Sequence, residues 1–232
     1  HAEDAALCAA ARTAVTQVNW PCQVEVNFAE ANLGCGYRIA SGLEWRFSQG
    51  DEAIILEDDI LPDPSFFPYC QALLAHYRAS AQVMGIGGRN DMGTWQPQRG
   101  SYFFHRLPAI WGWATWRRAW RQFDLTLDRY RAWDVAGLLS QHLADPEHAA
   151  LKTALFQRYA GIPVDTWDVQ WALACLLRDG IWISPTVNLV ANLGFDGRAT
   201  HTTQADDLRR HVAVGHMALP LSHPATNAAA DA

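Results

Sequence analysis

The sequence predicts an α/β fold: a doubly wound, mostly parallel sheet with helices on both faces, lacking its first strand. Three observations predict it. Short apolar runs suited to strands buried on both faces recur at Ile54–Leu56, Val83–Ile86 and Ile181–Pro185. Helix-period segments lie between them, which is the alternation of a parallel, helix-flanked sheet. The first of these strands then ends on three acids, Glu57, Asp58 and Asp59, where open α/β sheets meet their ligands.

The elements follow in order. His1 to Val18 reads as a helix with Ala6, Leu7, Ala10, Ala14 and Val18 on one face. A parallel sheet normally opens on a strand, so one is expected to be missing ahead of His1. Gln23 to Phe28 alternates like a short strand. Asn32 to Gly36 is a turn, and Tyr37 to Phe47 a helix with Ile39, Leu43 and Phe47 inward. After the acid-tipped strand, Asp63 reads as N-cap and Pro64 as first residue of a helix reaching about Tyr77. Residues 95 to 135 are aromatic and irregular apart from a helix near Thr115 to Phe123, and residues 125 to 165 carry no readable code. A helix from about Trp167 to Leu177 ends at Gly180. Residues 1–202 read as one domain; from residue 203 the pattern dissolves into a partly disordered, Ala-rich tail.

Composition excludes some classes. A formal net charge of -6 argues against nucleic acid, whose phosphates want a basic face. No apolar run approaches the roughly 18 residues of a membrane span, which leaves at most peripheral membrane association. Five cysteines without a CxxC pair read as buried, reduced thiols of a cytoplasmic protein. Eleven tryptophans are mostly core, yet Trp also stacks on sugar rings, so the count favours a carbohydrate site.

The three acids need an explanation. Two like charges about 5 Å apart repel by roughly 3 kcal/mol at an effective dielectric near 20. Hard carboxylate oxygens suit Mg²⁺ or Mn²⁺, which reverses that sign and neutralises a diphosphate. A solvated acidic loop is the plainer alternative. The doubly buried strand before the acids and the Asp63-Pro64 helix start after them favour the metal–diphosphate site.

With these residues in view, NLGCGYRIASGLEWRFSQGDEAIILEDD resembles the GT-A (Rossmann-like) nucleotide-sugar glycosyltransferases. The nearer likeness is to the N-acetylglucosaminyltransferase I-like branch and related bacterial family 2-type transferases. It is carried by EDDILPDPSFFPY, then NDMG (Asn90 to Gly93), WGWATWRRAW (Trp111 to Trp120) and TWDVQW (Thr166 to Trp171), in the family's order over roughly residues 20 to 202. The resemblance implies Asp59 as direct ligand of Mn²⁺ or Mg²⁺, and Glu57 and Asp58 as holding the donor's ribose and sugar hydroxyls. It implies Asp168 as catalytic base and Trp111 with Gly112 as lining for the donor sugar and diphosphate. Asn32 belongs to the family's Asn-x-Gly turn near the nucleotide. At Gly42 the chain departs from the branch, which carries a uracil-contacting His there.

Other readings of the residues stay open. Asp168 also suits a helix N-terminus. Asn90 and Asp91 are donor or acceptor contacts, or an Asx turn. His201 completes the metal shell or touches the diphosphate, or is a surface residue. Arg117 and Arg118 are helix-surface charges or phosphate contacts. The expected function is metal-dependent, inverting transfer of a sugar from a nucleotide donor, expected to be UDP-linked, to a glycan or other hydroxyl acceptor. The alternatives are a sugar nucleotidyltransferase, or a non-catalytic carbohydrate-binding or degenerate transferase domain.

Overall fold

The computed structural model describes residues 2–95, 99–162, 166–194 and 212–224. Two units are distinguished, residues 1–32 and residues 33–232. In the first, α1 (Ala2–Thr16) is followed by a stretch without regular secondary structure. Arg12 donates from Nη2 to the Ala29 carbonyl (3.1 Å) and lies 5.0 Å from the Phe28 ring. The strand expected over Gln23 to Phe28 does not form: Val24, Val26 and Phe28 are exposed, and alternation without a partner ladder leaves backbone groups to water.

The second unit is a mixed α/β structure. Its elements are α2 (Gly34–Gln49), β1 (Glu52–Ile55), β2 (Ile60–Pro62), α3 (Phe66–His76), β3 (Val83–Gly87), β4 (Tyr102–His105), β5 (Trp113–Trp116), α4 (Arg117–Trp120), α5 (Val135–His142), α6 (Pro146–Tyr159), α7 (Asp168–Leu177), β6 (Ile181–Pro185) and β7 (Val190–Asn192). In α2, Gly36, Ala40, Leu43 and Phe47 form the buried stripe of a 3.6-residue period. Asp63 does not cap a helix directly; its Oδ1 accepts from the Ser65 amide (2.8 Å), an Asx turn that delays α3 to Phe66. In the stretch with no readable code, Asp134 and Asp145 are N-caps, accepting from the Gly137 and Glu147 amides, and Pro146 opens α6.

A five-stranded sheet runs in the order β1-β5-β3-β6-β4, with a two-stranded ribbon of β2 and β7 beside it. Among the described residues only β3 and β6 pair in parallel; the β1–β5, β3–β5 and β4–β6 ladders are antiparallel. The mostly parallel pairing expected from the sequence is therefore not what forms. Its cause is the segment read as a helix from Thr115. Trp113, Trp116 and Trp120 have helical spacing, but residues 113–116 are strand β5, and the helix starts only at Arg117. Inserted antiparallel between β1 and β3, β5 leaves β1, β3 and β6 pointing the same way, with their carboxyl ends on one edge.

Alternation along the strands, shifted in β3 by an irregularity between Val83 and Gly85, divides the core in two. Met84, Trp113 and Trp182 pack on one face with Leu43, Phe47, Trp171 and Leu173; Ile86, Ala114, Ile181 and Ile183 pack on the other with Phe66, Tyr69 and Leu73. Residues 212–224 run along that second face, burying Met217, whose amide donates to Ser65 Oγ (2.9 Å). All five cysteines are free; Cys70 and Cys175 are buried, whereas Cys8 and Cys22 are exposed, contrary to the expectation of buried thiols throughout.

Gly112, just ahead of β5, has φ +65°, and a Cβ there would sit 2.8 Å from Val190 Cγ1. Gly112→Ala adds left-handed strain to a clash with the ribbon, for an expected loss of about 1–3 kcal/mol. Urea unfolding with an unshifted midpoint would refute this.

Candidate functional site

β1 leaves the sheet at Ile55 and turns at once. The Glu57 carbonyl accepts from the Ile60 amide (3.1 Å), which puts Asp58 and Asp59 at the corner of a tight turn. The ribbon holds that turn from the far side: Ile60 pairs with Asn192, and the Leu193 amide donates to the Asp59 carbonyl (2.7 Å). The Asp59 carboxylate lies against Gly194, at a point where a side chain would collide with it. Glu57 and Asp59 are half-buried, and Asp58 is exposed.

Electrostatically the acids are crowded. Burial, then the charges of Asp59, Asp168 and Asp58, push the Glu57 carboxyl up to about 7. Asp59 is also raised, by burial first and Asp58 second. Among the described residues no ion pair to Lys or Arg offsets any of these carboxylates.

Asp168, in the first turn of α7, adds its negative charge to the field felt by Glu57. Its neighbour Trp167 is buried and stacks on Trp113, ring centroids 5.6 Å apart, and the Thr166 hydroxyl donates to Asp168 Oδ1. Lys152, the only lysine of the chain, faces Asp168 from α6; burial pushes its ammonium below the ordinary range, and Asp168 opposes that shift. Asp168 also lines a cavity of about 580 Å³ together with Asn90, Asp91, Trp111, Trp95 and His105. Asp168 is thus part of the cavity wall, and its charge is felt at Glu57.

The remaining candidates separate by what already holds them. Asn90 is buried, its Nδ2 donating to the Pro185 carbonyl (2.9 Å) and its Oδ1 accepting from the Met92 amide (3.0 Å); it is an Asx turn that also ties β3 to the end of β6. Asp91 is exposed and pairs with buried Arg89 at 2.8 Å, while the Arg89 guanidinium lies 4.9 Å from the half-buried Trp111 ring. Gly112 backs Trp111, its carbonyl accepting from the Gly88 amide (2.7 Å). Asn32 belongs to the first unit, and His201 lies outside the described residues.

Arg89, Lys152 and His105 were missed by sequence reasoning. Arg89 adjoins Asn90-Asp91 and could have been read with them; the lone lysine was visible only as a count. His105 carries no signal. It sits in the cavity wall 2.9 Å from Ser184 Oγ, and burial lowers its imidazole to about 4, against the pull of Asp91.

Among the described residues, no group of three or more His, Cys, Asp or Glu side chains is placed to hold a metal ion. Uncompensated carboxylates still fit Mg²⁺ or Mn²⁺ in another way, since such ions commonly take one or two protein carboxylates and complete their shell from substrate phosphates and water. Asp59, half-buried on the turn, is that kind of donor. No helix among the described residues is long and apolar enough to cross a membrane. The chain matches no known family model, and no curated protein matches it.

In the metal-free protein the crowding has a pH signature. The fold favours protonated Glu57, so this contribution to stability is complete below about 4.5 and is lost as pH rises through about 7. Glu57→Gln, neutral at every pH, is expected to gain on the order of 1–2 kcal/mol over wild type near pH 8 and almost nothing near pH 4. Thermal melts in chelator at both pH values test this. A gain equal at both would remove the charge explanation.

Proposed function

We propose that this protein is a metal-dependent, inverting glycosyltransferase with a GT-A-like, Rossmann-like nucleotide-binding arrangement. It would move a sugar from a nucleotide-diphosphate donor, UDP-linked in our reading, to the hydroxyl of a glycan or other acceptor. The observation that carries this reading is the tight turn of half-buried, uncompensated carboxylates at the carboxyl end of β1, together with Asp168 in the wall of a cavity large enough for a sugar. The carboxyl ends of β1, β3 and β6 on one edge add support, as does the family-like order of motifs.

Each residue then has a task. Asp59 would hold the divalent ion, which would supply charge neutralisation to the leaving diphosphate, and Glu57 and Asp58 would meet the donor's ribose and sugar hydroxyls. Trp111 presents an aromatic face to the sugar, steadied by Arg89 and by the tight Gly112 backbone behind it. Asp168 accepts the proton of the incoming hydroxyl as the new bond to the anomeric carbon forms and the bond to the diphosphate oxygen breaks.

Two substitutions test the two ends of the site. Asp59→Asn is expected to abolish Mn²⁺-dependent UDP binding in calorimetry, because a neutral amide is a poor ligand for a hard cation. Undiminished affinity would sink the metal assignment. Asp168→Asn is expected to leave that binding nearly intact, lower turnover by roughly 10²–10⁴-fold and remove the acidic limb of the pH–rate profile. If Asp168 serves only the helix N-terminus, turnover stays near normal and the loss is up to about 1 kcal/mol of stability.

A further inference from the structure

At the opposite end of β1 from the acidic turn, the charge sign reverses. A cleft of about 720 Å³ is lined by Arg46, Arg78, Arg117, Arg118 and Arg121 against two carboxylates, Asp51 and Glu52. A second hollow of about 400 Å³ shares Arg117 and Arg121 and adds Arg129. In a chain of net charge -6 such a concentration is unusual, and local architecture gathers it.

The guanidiniums are held from three elements. Arg46, from the end of α2, donates from Nη2 to the Glu52 carbonyl (2.8 Å), and its guanidinium lies against the Cα of Gly50. Arg117, opening α4, donates from Nε to the Gly50 carbonyl and meets Asp51, both at 3.2 Å. Gly50 therefore has one guanidinium on its Cα and another on its carbonyl. Arg78 pairs with Glu52 at 2.7 Å and remains 69% exposed. Arg118 has a different job: it donates to the carbonyls of Tyr77, Arg78 and Val83 and stacks on Trp116 at 4.3 Å, so its donors are spent on the fold. Arg121, one turn beyond Arg117, is exposed, and its side chain has no partner among the described residues.

A guanidinium carries five N–H donors in a planar fork, and Arg46, Arg78 and Arg117 each commit only some of theirs. Orienting them through backbone carbonyls leaves the other edges of the fork for an anion with oxygens on several sides. We propose that this cleft binds a phosphate-bearing anion, with Arg121 as the recruiting charge and Arg46 and Arg117 as its preset walls. The site is separate from the acidic turn, and the proposal does not rest on the transferase reading.

The test uses the full chain with EDTA, so that metal at the acidic turn plays no part. Inorganic pyrophosphate is titrated by calorimetry, and sedimentation is measured with vesicles of phosphatidylcholine alone and of phosphatidylcholine with phosphatidylglycerol in equal parts. Arg121→Glu is expected to weaken pyrophosphate binding roughly tenfold or more, and Arg121→Gln to a smaller extent. Charge-matched Arg158→Glu, on α6, and Asp59→Asn are expected to change it little. Binding confined to the anionic vesicles, and lost in Arg121→Glu, assigns the same chemistry to a lipid headgroup. The proposal is overturned if wild type binds neither probe, if Arg121→Glu binds as wild type does, or if Arg158→Glu loses as much. Loss in Asp59→Asn also overturns it, since the probe would then have occupied the acidic turn.

Discussion

The stacking of Trp113 on Trp167 is the contact on which the rest of the site depends. Trp113 opens β5, directly after Trp111 and Gly112; Trp167 immediately precedes Asp168 and α7. Joining the two rings fixes the cavity wall relative to the candidate base. Trp120, Trp171 and Trp182 close around Trp113 at centroid distances of 6.2, 6.1 and 5.8 Å, so the pair cannot slide without moving β6 and α4. Each aromatic pair adds about 0.5–1.5 kcal/mol beyond its burial. The cluster has a cost as well, since the indole N–H groups of Trp113 and Trp171 are buried without an acceptor, each costing about 1–3 kcal/mol. Large apolar area outweighs that loss, and rigidity is what the arrangement gains.

Charge is segregated along β1. Its amino end is surrounded by arginines and its carboxyl end by acids, only a four-residue strand apart. The two ends are stabilised differently. At the amino end, backbone carbonyls and the carboxylates of Asp51 and Glu52 absorb the positive charge. At the carboxyl end no such partner lies among the described residues, and half-buried Glu57 becomes easier to protonate. A strand edge with one compensated and one uncompensated end has a direction, and the uncompensated end is where a counter-charge would do the most to stabilise the fold.

Much of this was legible from residues alone, and the failures have a common cause. The fully buried strands Val83–Gly87 and Ile181–Pro185, and helix α7, lie within a residue or so of their expected bounds, because continuous apolar runs between turn residues leave few alternatives. The Glu57–Asp59 turn and Asp168 were found as separate motifs, but no local pattern could announce that their charges meet. Gln23 to Phe28 had the alternation of a strand without the partner ladder that makes one. In Trp113–Trp120, spacing suggested a helix face, whereas Trp113 and Trp116 in fact point to opposite cores. Tertiary pairing decided both, and pairing is invisible to periodicity. Asp145-Pro146 was legible by the logic applied at Asp63-Pro64, and there the sequence signal was simply passed over.

Hydrogen-bond saturation sorts the candidate residues better than their identity does. Asn90 has the right chemistry for a sugar hydroxyl, yet both ends of its amide are committed to the backbone of the turn and of β6. Breaking those bonds to greet a ligand would leave buried polar groups unpaired, a cost comparable to what a new hydroxyl contact returns. Arg118 is excluded from anion binding by the same reasoning at the other end of β1. Glu57 and Asp59 stand opposite to this. They are partly desolvated, and the fold supplies no cation among the described residues to answer them. Polar groups that the fold satisfies stabilise the fold; those that it desolvates and leaves unanswered hold free energy that only a ligand can recover. By that criterion the candidate site is the turn after β1, and Asn90 belongs to the frame around it.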